Sequence, residues 1–354
     1  MPQLKVVVPL LNKRTAPVEN TGDTRNVVGK VNDKFEFESV EEKTNSQGTW
    51  YKDKNGNWYW GGGVEIVDEQ IVGAENILDY NSKSSLPNEV KNTKGKNITV
   101  AIVDTGCFSH DAFKNISIKG KNFIDNNDIY DDTSSQSHGT FISGIISAGK
   151  CNGFTMEGVA PNVMLVIAKI ASQTGISDRD ALLEGLKWVL KQKPDIINCS
   201  FDFSPSADAN NFRDIFLSEE AKKIIWVAAG QDNNGLFNNT IYYPGSEQNY
   251  IAVGSLNKDV LSNHNFNQIN KKIKYLVQET AFISTDRFDS YSSGIGSSFA
   301  TAIVAGNFAL VKSFLMEKNK RDISPKECID FLDNHLEQLS SIKQLDSKFI
   351  ILKM

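Results

Sequence analysis

A chain of 354 residues with a formal net charge of −5, 40% hydrophobic and 23% charged residues, has an ordinary globular composition, long enough for one large domain and one small one. The mild acidity speaks against a nucleic-acid partner. Four cysteines (Cys107, Cys151, Cys199 and Cys328) lack paired spacing and read as reduced thiols, which excludes a disulfide frame and a zinc site. The apolar start MPQLKVVVPLL runs into Asn12, Lys13 and Arg14 with no small-residue cleavage motif, so no signal peptide is read. No apolar run approaches a membrane span, no membrane partner is expected, and the cytoplasm is the expected compartment.

Residues 1–65 alternate between apolar and polar positions, as in VGKVNDKFEFESVEE and GTWYKDKNGNWYWGGGVE. Asn55-Gly56, between two aromatic runs, predicts a hairpin turn. The segment resembles bacterial SH3-like modules, which carry similar strand-turn-strand runs, and the resemblance implies a small all-β barrel. Trp50, Tyr51, Trp58, Tyr59 and Trp60 are candidates for a ligand groove, although alternation would bury every second one in the barrel core. Residues 66–95 read as a connector with a short helix.

From 96 to 354 the pattern changes. Buried runs such as NITVAIVD, VMLVIAKI, DIINCSF, IIWVAAG and YIAVGSL alternate with helical periods such as ALLEGLKWVL. This predicts an α/β fold, a mainly parallel sheet with helices on both faces, whose active groups sit at the carboxyl ends of strands.

Three places carry chemistry. The run NITVAIVDTG ends a strand on Asp104, which alone could be a turn or capping residue. In QSHGTFISGIISA, His138 stands at a predicted helix start, where the dipole lowers its pKa and favours the neutral base; alone it could be structural. In SYSSGIGSSFATAIVAGNFALVKSFL, Ser298 opens a helix of small residues, where a serine is either a cap or a nucleophile facing the helix dipole.

Together, in the order Asp104, His138, Ser298 with D-T-G, H-G-T and G-S-S-F-A, they resemble the subtilisin-like serine proteases. GVAPNVMLVIAKI, ALLEGLKWVLKQKPDIINCSF and YYPGSEQNYIAVGS extend the resemblance over about 95–335. It implies an intracellular serine endopeptidase without cofactor, acting on a protein or peptide substrate. Ser298 would be the nucleophile, His138 the base and Asp104 the residue orienting it, with an acyl-enzyme intermediate.

Departures from the family pattern shape the expectation. After the WVAAG strand the family's oxyanion asparagine is replaced by Gln231, which would donate beside the backbone N–H of Ser298. The extra methylene predicts either a weakened hole, tightened when the loop 230–235 moves, or a backbone shift that restores it. Family glycines at the substrate-binding edge are replaced by bulk; Ser200, Phe201 and Asp202 are the candidate binding residues, and an inward Asp202 would favour a basic side chain before the cut. A family proline four residues after the nucleophile is Ala302 here. FIDNNDIYDD (123–132) is a weak calcium candidate that reads better as a solvated loop, and Cys107 as buried packing. The N-terminal region is unlike the family's propeptide, so control by a regulatory protein partner or by the N-terminal module is expected, the alternative being a weak or inactive binding scaffold.

Overall fold

The structure, a computed structural model, describes residues 3–6, 11–19, 25–32, 35–45, 48–67, 78–150, 156–172, 178–201, 209–231, 244–245, 250–257, 272–279, 281–336 and 348–350. It falls into two compact units, Met1–Asn76 and Ile77–Met354.

The first unit is an antiparallel sheet of seven strands: β1 (Gln3–Val6), β2 (Leu11–Arg14), β3 (Val27–Val31), β4 (Glu36–Asn45), β5 (Gly48–Asp53), β6 (Trp58–Trp60) and β7 (Val64–Val67), in the order β3-β2-β6-β5-β4-β1-β7. Cross-strand register pairs Trp50 with Trp60, Tyr51 with Tyr59 and Lys52 with Trp58. Tyr59 joins Leu4, Val6, Leu11 and Phe37 in an apolar core. Trp58 is covered by the ammonium groups of Lys43 and Lys52, 5.1 and 5.4 Å from its ring. Of the five aromatics, Trp50, Trp58 and Tyr59 are buried, as the core reading expects for most of them, and Tyr51 and Trp60 stay half-exposed. The hairpin turn forms as expected, but as a three-residue loop: Gly56 donates to the carbonyl of Asp53 and takes φ +85°, the left-handed position that favours glycine.

In the second unit, eight parallel strands form one sheet: β9 (Thr99–Asp104), β10 (Ile118–Asn122), β12 (Met164–Lys169), β13 (Ile196–Cys199), β14 (Ile225–Gln231), β15 (Tyr250–Asn257), β16 (Ile273–Glu279) and β19 (Lys348–Ile350). Their order is β10-β12-β9-β13-β14-β15-β16-β19. Short pairs β8 (Leu78–Asp79) with β11 (Met156–Glu157), and β17 (Phe282–Thr285) with β18 (Tyr291–Gly294), lie apart from it. Alternation along each strand feeds two cores. Val100 and Ile102 of β9 face α3 (His138–Ser147), α6 (Ser297–Asn319) and α7 (Pro325–His335), while Ala101 and Val103 face α4 (Arg179–Lys191) and α5 (Ala209–Phe216). The stretch expected as a connector carries β8 and two short helices, α1 (Tyr80–Lys83) and α2 (Asn88–Lys91), whose Tyr80 and Val90 belong to the larger core.

Helix α6 corrects another expectation. Its 23 residues are long and apolar enough to cross a membrane by length and composition. Here every position from 300 to 313 is buried within the unit, so all-round apolarity marks a central core helix.

Chain order reverses around β9, whose neighbours are β12 on one side and β13 on the other. In a parallel sheet that switch point opens a crevice outside the carboxyl ends of the strands.

Candidate active site

Asp104 is the last residue of β9 and is 4% exposed. One of its oxygens, Oδ1, accepts the backbone N–H of Thr105 at 2.7 Å. The Nδ1 of His138 lies 2.8 Å from Oδ1 and 3.0 Å from Oδ2. A carboxylate only accepts, so Nδ1 carries the proton and Nε2 is left as the basic nitrogen. His138 is the first residue of α3, and Ser137 before it takes a left-handed φ of +48° to turn the chain into the helix.

Close packing makes this pairing reachable. Gly139, next to His138, sits against the carbonyl of Gly106, and a Cβ there would collide with that oxygen. Gly106 itself has φ +121°. Two glycines thus let the helix start approach the turn that follows Asp104.

Burial disfavours the imidazolium of His138, but the charge of Asp104, its hydrogen bond and the charge of Asp132 prevail and hold the imidazole above its ordinary value. The direction is opposite to the lowering expected from the helix start, and its cause is the two buried carboxylates.

Ser298 lies in the first turn of α6 and is half-buried. Its Oγ donates to the carbonyl of Ser200 at 2.9 Å, not to His138. Phe299, the next residue, brings its ring within 5.7 Å of the imidazole. Ser200 follows β13, and its own Oγ donates to the carbonyl of Ser298 at 2.8 Å while accepting from Asn198 Nδ2 at 2.8 Å. A cavity of about 170 Å³ is lined by Asp104, His138, Ile170, Ser200 and Phe201, among others. The structure thus gathers Asp104, His138, Ser200 and Phe201 around one crevice. Gln231 ends β14, paired with Gly254 after a register shift at Ala229. Its side chain, and Asp202, lie outside the described residues.

Two groups were missed. Asn198 is fully buried in β13 and fixes Ser200; an amide inside an apolar strand was the available signal. Asp132 belongs to the acidic stretch read as a solvated loop. That reading holds for the exposed Asp125, Asp128 and Asp131 and fails for Asp132, 1% exposed. Among the described residues no three carboxylate, imidazole or thiol groups converge as a metal site. Cys107 is buried, with its thiol pushed up to about 12 by desolvation.

A carboxylate–imidazole pair at the carboxyl edge of a parallel sheet, with a serine opening a neighbouring core helix, is the layout of a serine hydrolase. The family model described as the subtilase family matches residues 95–341. The chain belongs to the subtilase family and is, by class, a serine-type endopeptidase. It is 32% identical over 269 residues to the major intracellular serine protease of Bacillus subtilis (strain 168), covering 74% of this chain and 83% of that protein. It is 30% identical over 275 residues to an intracellular serine protease of Paenibacillus polymyxa, covering 75% and 82%. The crystal structure of a cold adapted subtilisin-like serine proteinase shares the fold, with a TM-score of 0.59 at 21% identity, over 74% of this chain and 90% of that one.

Proposed function

We propose that this protein is an intracellular serine endopeptidase of narrow specificity that works through Asp104, His138 and Ser298. The observation that carries the proposal is the 2.8 Å contact between the buried carboxylate of Asp104 and Nδ1 of His138. It leaves Nε2 unprotonated, free to act as the base. Ser298 Oγ attacks the scissile carbonyl as His138 Nε2 takes its proton; the proton then passes to the leaving amine, and water repeats the sequence on the acyl-enzyme. Asp104 holds the tautomer and stabilises the transient imidazolium. The oxyanion is met by the backbone N–H of Ser298 and the side-chain amide of Gln231. Ser200, Phe201 and Asp202 bind the peptide before the cut. The intracellular relatives support a cytoplasmic setting.

The N-terminal unit, in this reading, is an SH3-like recognition module through which a substrate or a regulatory protein controls the enzyme. The half-exposed Tyr51 and Trp60 are its contact residues. A second reading, a weakly active scaffold, draws on the Ser298 hydroxyl being engaged by Ser200 rather than His138.

A fluorophosphonate probe tests the proposal. Labelling of the wild type and its loss in Ser298→Ala is the expected result. Folded wild-type protein that never labels, with or without candidate partners, would leave the scaffold reading.

A further inference from the structure

The site holds one buried carboxylate to which the reaction assigns no step. Asp132 receives five hydrogen bonds. Its Oδ2 accepts from Thr105 Oγ1 at 2.9 Å and from the N and Oγ1 of Thr140, each at 3.0 Å. Its Oδ1 accepts from Ser134 N at 3.0 Å and Ser134 Oγ at 2.7 Å. Thr105 is the residue after Asp104, and Thr140 lies two after His138. A further bond closes the loop, because Thr105 Oγ1 accepts the N–H of Gly139 at 2.8 Å.

We propose that Asp132 is a positioning residue for peptide-bond hydrolysis: its carboxylate ties the turn after Asp104 to the first turn of α3 and so fixes the imidazole of His138 against Asp104. This rests on the triad proposed above.

Hydrogen-bond direction makes the residue type specific. Thr105 has one hydroxyl proton. Its oxygen takes the Gly139 N–H, so the proton goes to Asp132. All five groups facing Asp132 donate, and only a carboxylate offers acceptors on both oxygens. An asparagine would turn an NH₂ toward either Ser134 N–H or the Thr105–Thr140 side. Ser137, at the position that usually caps such a helix, makes no side-chain cap. The two first-turn N–H groups of Gly139 and Thr140 are instead satisfied by Thr105 and Asp132, which come from elsewhere in the chain. The cap of the histidine helix is therefore the same set of atoms that holds the turn after the carboxylate.

Among the described residues, the charges acting on His138 are Asp104 from β9 and Asp132 from the preceding loop; Phe299 from α6 packs on the ring without charge. Lys169 from β12, whose Nζ donates to the carbonyl of Thr105 at 2.6 Å, faces both carboxylates. Removing the Asp132 charge makes the imidazole easier to deprotonate.

The experiment uses the full chain and a peptide substrate. Asp132→Asn is expected to lower kcat by about 10- to 100-fold with KM little changed, the size expected when a reacting group is misplaced by about 1 Å. The acid limb of its pH–rate profile should move to lower pH. Thr105→Val should reproduce the fall in kcat without the acid-limb shift, and Thr105→Ser should restore wild-type kcat. Folded Asp132→Asn and Thr105→Val proteins with lowered melting temperature but unchanged kcat and acid limb would overturn the proposal, leaving Asp132 a structural cap. If Asp132→Asn does not fold, the Thr105 pair decides. A Ser298→Ala protein that still hydrolyses the peptide would sink the triad itself, an outcome distinct from either.

Discussion

Ser298 and Ser200 exchange hydrogen bonds: each hydroxyl donates to the other residue's backbone carbonyl, at 2.9 and 2.8 Å. The start of α6 is thereby latched to the end of β13, and Asn198 Nδ2 completes the chain by donating to Ser200 Oγ. The hydroxyl of the nucleophile proposed here must give up its bond to the Ser200 carbonyl before it can donate to His138.

Ser200→Ala cuts this latch on one side, leaving the buried amide of Asn198 without its acceptor and the carbonyl of Ser298 without its donor. The expected loss of stability is about 1–3 kcal/mol. Chemical denaturation of the Ser298→Ala background, which cannot digest itself, measures it. A change within error would mean that water replaces the hydroxyl.

Raised basicity of His138 fixes the sense of the pH dependence. Activity needs the neutral imidazole, so the acid limb of kcat/KM should lie above the ordinary histidine value of about 6.5. Stability runs the other way. A group whose pKa is raised by folding stabilises the native state below its unfolded value, and that contribution is lost as pH rises through the folded value. Asp104→Asn should remove this acid-side stabilisation and lower kcat by about 10⁴-fold by favouring the wrong tautomer. Melting curves at pH 5 and 8, beside pH–rate profiles, check both.

Gln231 is the proposed oxyanion donor, assigned by resemblance to the position of a family asparagine. If its longer stem misplaces the donor, Gln231→Asn should accelerate fluorophosphonate labelling. Gln231→Ala should slow it by about 10²- to 10³-fold, the cost of losing one oxyanion donor. Equal rates for glutamine and alanine would exclude the amide from the oxyanion hole.

In the N-terminal unit, Asp53 is buried and accepts from Asn55 N, Asn57 N, Asn57 Nδ2 and Tyr59 OH at 2.9–3.0 Å. Asp53→Ala orphans the buried Tyr59 hydroxyl and unpins the hairpin loop. A destabilisation of about 3 kcal/mol is expected, read from tryptophan fluorescence against denaturant.

The strand ending on Asp104, the helix opening on His138 and the helix of small residues after Gly296 were all legible, because buried parallel strands and their helices write themselves as local apolar runs. Family motifs then ordered the three residues. Asp132 was not legible: an acidic run looks alike whether one carboxylate turns inward or none does, and the five donors that hold it come from positions 105, 134 and 140. The same holds for Trp58 of the first unit, over which Lys43 of β4 and Lys52 of β5 place their ammonium groups.

By itself, then, the sequence determined the α/β class and the family, and it named the groups proposed to react, since these depend on periodicity and on short motifs. The direction in which His138 titrates, the carbonyl on which Ser298 rests and the carboxylate that caps α3 were decided only by the tertiary structure. Each is set by charges and hydrogen bonds between residues far apart in the chain, and no local pattern encodes them.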